Sequence, residues 1–165
     1  MTDAFILGGV RTPFARYGST LSHIRTDELL GMTMKGACER VGVELGAIED
    51  IVAGCVNPAH EGMGDVGRWA ALAAGFPDSV AGATINRYCG SSMSATVNIA
   101  HAIKAGDLGV GMACGVESMS RSGWALMKGD AAFSPRDPSS CSTPCGLAPE
   151  ARPTRRCWPA MPTSG

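Results

Sequence analysis

Residues 84–103 constrain the fold of this chain more than any other stretch. Thr84-Ile85-Asn86-Arg87-Tyr88-Cys89-Gly90-Ser91-Ser92-Met93 reads as the end of a short strand, a tight Cys-Gly turn and the start of a helix over 89–103. Met93, Ala95, Val97, Ile99, Ala100, Ala102 and Ile103 make that helix apolar on nearly every side, and a helix of that kind is buried. Short strands running into such a helix predict a layered α/β fold, with a mostly parallel sheet covered on both faces.

The rest of the first two-thirds follows the same alternation. A short apolar run at 4–10, stopped by Pro13, predicts a buried strand. Thr26 is placed to cap a helix with Asp27 and Glu28 in its first turn and an apolar stripe of Leu30, Met34, Ala37 and Val41, ending at Gly42. Strands are expected at 51–56, 81–86 and 108–114, with a helix at 66–74 closed by Gly75 and Pro77.

Charge and composition exclude several classes. Fourteen Lys and Arg against fifteen Asp and Glu, with 5% aromatics, offer no basic face for nucleic acid. The apolar run at 4–7 follows Asp3 and is too short for a signal peptide or a membrane span. With no sign of export, the seven cysteines are expected in a reduced, cytoplasmic compartment rather than in disulfides.

Cys89 has two readings. As a structural residue it is a small buried hydrophobe on a strand-to-helix turn. As a chemical one it sits where backbone N–H groups and the positive end of a helix dipole converge, a setting that favours the attacking thiolate. Gly90 would let a bulky thioester approach, and Ser91 and Ser92 offer hydroxyls in the first turn. Cys38, Cys55 and Cys114 fall within helix or strand patterns and read as core. His23, His60 and His101 are scattered and read as loop or surface imidazoles, and Glu117 as a structural hydrogen-bonding carboxylate after a strand.

The run 85–93 resembles the nucleophile motif of the thiolases, the acyl-CoA C-acyltransferases. Val10-Arg11-Thr12-Pro13-Phe14, Arg68-Trp69-Ala70-Ala71-Leu72-Ala73-Ala74-Gly75 and Gly115-Val116-Glu117-Ser118-Met119-Ser120 are similar to three further segments of that family, in the same order. The likeness spans about 3–133 and implies the N-terminal half of the thiolase fold, βαβαβαβ, in which two such halves each lend a buried helix to the middle. It implies Cys89 as the acyl-accepting nucleophile, with its backbone N–H in an oxyanion hole. It also implies acyl-CoA and CoA as substrates with no bound cofactor or metal, and a homo-oligomer. Asp65 and Arg68 fall where the family carries an amide and an arginine near its subunit contact, so Asp65 departs from that pattern. Cys-Gly-Ser-Ser-Met is closer to the degradative, fatty-acid β-oxidation branch than to the acetoacetyl-CoA-forming biosynthetic branch. A related condensing enzyme is the remaining enzymatic alternative.

Two groups that the family needs are absent from these 165 residues: a histidine in Gly-His-Pro and a second cysteine in Cys-x-Gly-Gly-Gly. The chain alone is therefore expected to be a catalytically silent fragment. A half-fold would also leave the apolar helix at 89–103 uncovered on one side. Residues 134–165 change character: seven of the ten prolines and four arginines lie there, and Leu147 is the last large aliphatic residue. Such a tail is expected to be disordered. Cys141, Cys145 and Cys157 fall one ligand short of a zinc site, with no histidine nearby, and Arg155-Arg156 is too short for a docking patch. Its composition is that of a shifted GC-rich reading frame, and an out-of-frame end is expected.

Overall fold

The computed structural model describes residues 3–58 and 64–123, together with two short strands at 125–126 and 141–142. Contacts divide the chain into two units, 1–121 and 122–165. The first unit holds α1 (Thr26–Val41), β1 (Asp50–Gly54), α2 (Val66–Ala74), β2 (Ala81–Ile85), α3 (Ser91–Ala105) and β3 (Gly111–Gly115). In the second, β4 (Ala125–Leu126) pairs antiparallel with β5 (Cys141–Ser142). The other residues of the tail, and with them the expected disorder and frame shift, lie outside the described residues.

The first unit is a three-stranded parallel sheet in the order β2-β1-β3. β1 is central because it is apolar on both faces: Ile51 and Ala53, with Cys55 just past the strand, pack under α1 and α2, and Val52 packs against α3. This is the predicted α/β layering, with Leu30, Met34 and Cys38 of α1 and Val66, Ala70 and Ala71 of α2 forming the larger core. α1 and α2 can cross closely because Gly31 has no side chain: a Cβ there would lie 2.8 Å from the Ala70 carbonyl oxygen.

Besides the strand ends, which fall at Asp50–Gly54, Ala81–Ile85 and Gly111–Gly115 rather than at 51–56, 81–86 and 108–114, four expectations need correction. The run at 4–10 forms no strand among the described residues, and Phe5, Ile6 and Leu7 are exposed. Its apolar pattern suits a strand, but a strand exists only with a ladder partner, and β3 pairs with β1 alone. A cleft of about 760 Å³ lies between this segment, α1, α3 and β3. Secondly, the N-cap of α1 is Arg25, without a side-chain cap; Thr26 is already helical, and the Asp27 carboxylate takes the Glu28 N–H and the Arg25 guanidinium instead. Thirdly, the third helix begins at Ser91, behind Gly90. Finally, that helix is buried along one stripe only, Ser91, Ala95 and Ile99, while Met93 is 75% and Val97 45% exposed. Its outer apolar face is uncovered, as a half-fold implies.

Among the described residues, no helix is long and apolar enough to cross a membrane. Nor does any group of His, Cys, Asp and Glu there have an arrangement that could hold a metal ion.

Candidate active site

The carboxyl ends of the three strands meet the N-terminus of α3, which is where ligands gather in open parallel sheets. Gly54 and Gly115 face each other across the β1–β3 ladder, and both look toward α3. A Cβ on Gly54 would lie 2.6 Å from the Ser91 carbonyl carbon, and one on Gly115 would run into the Ser92 hydroxyl. The two glycines form a floor without side chains that lets α3 start directly on the sheet.

Between β2 and α3 the backbone turns sharply. Tyr88 has φ 49° and is the one non-glycine residue with positive φ among those described. Holding a tyrosine there costs on the order of 1–3 kcal/mol and persists only where the surroundings enforce it. They do so twice. The Asn86 side-chain oxygen accepts the Tyr88 N–H at 2.9 Å. The buried Ser91 hydroxyl donates to the Tyr88 carbonyl at 2.6 Å and accepts the Arg87 N–H at 2.8 Å. Cys89 is the next residue, and it is exposed.

The other cysteines of this unit stand apart from it chemically. Cys38 and Cys55 are buried and Cys114 is partly buried. Burial pushes the Cys114 thiol up to about 12, with the Asp65 carboxylate adding to the effect. Burial pushes Cys55 up to about 11, helped by Glu117 and opposed by the Asn57 N–H, and it raises Cys38 as well. These three are core thiols, as expected. His23 and His101 are exposed, and His60 lies outside the described residues.

Gly90 has φ −94°, a backbone that other residues adopt, and a Cβ there would stand 3.4 Å from the Arg87 oxygen. Asp65 is engaged within the fold, where it caps α2 through the Gly67 and Arg68 N–H groups and accepts the Thr84 hydroxyl. The Arg68 guanidinium donates to the carbonyls of Val80 and Asp78. Glu117 does hydrogen-bond, and to two amides at once: Val56 N–H at 2.8 Å and Asn57 N–H at 3.1 Å. Asn86 does not stand out in the sequence as a site residue, although an Asx turn, in which Asn bonds the amide two residues on, is a readable local signal.

The thiolase N-terminal domain model matches residues 4–135. The chain is 45% identical over 135 residues to the 3-oxoadipyl-CoA/3-oxo-5,6-dehydrosuberyl-CoA thiolase of Escherichia coli, covering 81% of this chain and 34% of that protein. It is 42% identical over 132 residues to the beta-ketoadipyl-CoA thiolase of Pseudomonas aeruginosa, covering 79% and 33%. Among solved structures, the Acat5 thiolase of Ascaris suum in complex with coenzyme A superposes with a TM-score of 0.73 at 35% identity, covering 80% of this chain and 34% of that one. The Bacillus anthracis acetyl-CoA acetyltransferase gives 0.64 at 38% identity, covering 68% and 28%. The chain thus spans about a third of the length of these curated relatives. A family match across most of the sequence, joined to the same fold, establishes that this chain belongs to the thiolase family, in its N-terminal domain.

Proposed function

We propose that Cys89 is the acyl-accepting nucleophile of a degradative thiolase acting on a 3-ketoacyl-CoA. The observation that carries this reading is an exposed cysteine on an enforced turn at the start of α3, in a thiolase N-terminal domain. The Cys89 thiolate adds to the 3-keto carbon, and the Cα–Cβ bond breaks with its electron pair passing to an acetyl-CoA enolate, which takes up a proton. CoA, losing its thiol proton, then attacks the acyl-Cys89 thioester and returns the thiolate. Covalent catalysis divides one hard step into two easier ones. The Cys89 backbone N–H would help to hold the developing oxyanion.

The base for the thiol and the acid for the enolate belong to the family motifs that these 165 residues lack. Full turnover therefore needs more polypeptide than this, and the half-reaction is the proper test. The two bacterial relatives named above carry 3-oxoadipyl-CoA or beta-ketoadipyl-CoA in their names, which favours that substrate over a straight-chain fatty acyl-CoA of β-oxidation. Cleavage of 3-oxoadipyl-CoA would leave a succinyl group on Cys89. The chain should accordingly take a succinyl group from succinyl-CoA on Cys89, with CoA leaving, and take it faster than a hexanoyl group from hexanoyl-CoA. Peptide mass mapping reads both. Acylation of Cys141, Cys145 or Cys157 at the same rate as Cys89 would refute the nucleophile assignment, and a preference for hexanoyl-CoA would refute the substrate class.

A further inference from the structure

Three strand ends are tied together beside Cys89 by two side chains. Glu117, just past β3, grips the chain just past β1 by taking the Val56 N–H at 2.8 Å and the Asn57 N–H at 3.1 Å. The Val56 carbonyl in turn accepts the Asn86 side-chain N–H at 3.0 Å, just past β2. The Asn86 side-chain oxygen then takes the Tyr88 N–H at 2.9 Å. Residue 56 is thus held on both sides: Glu117 takes its N–H, and Asn86 donates to its carbonyl. The parallel ladder continues only one residue beyond β1, through Cys55 N–H to Ile85 and Val116 N–H to Gly54, so these side chains take over where it stops.

We propose that Glu117 and Asn86 are positioning residues for Cys89, acting in series through residue 56. Asn86 holds residue 88 at positive φ, and Glu117 holds the loop that orients the Asn86 amide. An amide fits the middle place because it must donate to a carbonyl and accept from an N–H at once. A carboxylate fits the outer place because it accepts two N–H groups side by side. Neither touches the reacting atoms. The inference rests on Cys89 being the acyl acceptor, and it adds how the turn that presents it is kept in place.

The experiment measures two quantities on the full chain: the rate of acyl transfer from succinyl-CoA to Cys89, and hydrogen exchange of the Tyr88 amide. Asn86→Ala should slow acyl transfer roughly 10-fold and Glu117→Ala by a smaller factor, since modest misplacement of a reacting group is costly. Members of one series do not add, so the double variant should be no slower than Asn86→Ala alone. Tyr88→Gly in the Asn86→Ala background should restore the rate, because glycine adopts positive φ without support. A merely structural pair would give no such rescue. Tyr88 exchange should accelerate in Glu117→Ala although the hydrogen bonds of Glu117 among the described residues go to residues 56 and 57. Unchanged Tyr88 exchange in both single variants, or additive losses without glycine rescue, would overturn the inference. If wild-type Cys89 takes no acyl group, the proposed function falls, and the exchange measurement still decides the coupling.

Discussion

Gly54 and Gly115 stand opposite one another in the β1–β3 ladder, and the first turn of α3 rests on both. The contact is backbone on backbone at Gly54, where nothing can rotate out of the way. Gly54→Ala should therefore lift the Ser91–Ser92 turn and cost about 1–3 kcal/mol, the usual range for overpacking. Urea titration of the two proteins measures it. An unchanged midpoint would mean that α3 does not rest on the sheet at this point.

Asp65 links α2 to the strand that leads into the Cys89 turn, since its carboxylate caps the helix and accepts the Thr84 hydroxyl. Asp65→Ala should cost about 1–2 kcal/mol, the upper range for a lost cap, because Thr84 loses a partner with it. Asp65→Asn keeps an acceptor and should retain most of the stability. Equal losses in the two variants, read from thermal melts, would count against capping as the reason.

The raised Cys114 thiol makes stability depend on pH in the alkaline range. Its pKa is about 12 in the folded chain against an ordinary 9.0, so the unfolded chain gives up its proton first. Stability from this group is complete below pH 9.0 and declines as pH rises toward about 12. Cys55, at about 11, acts in the same direction over a narrower window. Cys114→Ala should flatten the fall in melting temperature across the alkaline range above pH 9.0 relative to wild type. A parallel fall in both proteins would contradict the assignment.

The uncovered face of α3 should drive association. Met93 and Val97 are exposed one turn apart, and Phe5, Ile6 and Leu7 add further exposed apolar surface elsewhere on the same unit. Contiguous apolar patches beyond a few hundred Å² are rare on monomers. Light scattering should show a mass that rises with concentration, and Met93→Glu with Val97→Glu should lower it. A monodisperse monomer at all concentrations would contradict this.

How much the sequence discloses depends on whether a feature is local. Val66–Ala74 and its Gly75 stop follow from periodicity and a left-handed cap, both contained in about ten residues, and the structure has them at those bounds. The central β1 follows from a continuous apolar run. Residues 4–10 fail for the opposite reason: strand pattern is local, but strand formation needs a partner elsewhere. At the site, Cys89 before a helix is legible from its neighbours, and so is the Asx turn at Asn86. The Gly54–Gly115 floor and the Glu117 grip on residues 56 and 57 are not, because each joins segments about 60 residues apart.

Among the described residues of the first unit, one cysteine faces outward at the start of α3 and three lie within, and the proposed chemistry depends on that difference. Timed iodoacetamide labelling at neutral pH, followed by peptide mass mapping, reads it residue by residue. Cys89 is expected to be alkylated well before Cys38, Cys55 and Cys114, each of which is shielded and carries a raised thiol pKa. Labelling of Cys89 no faster than those three in the folded chain would contradict both the arrangement and the role proposed for Cys89.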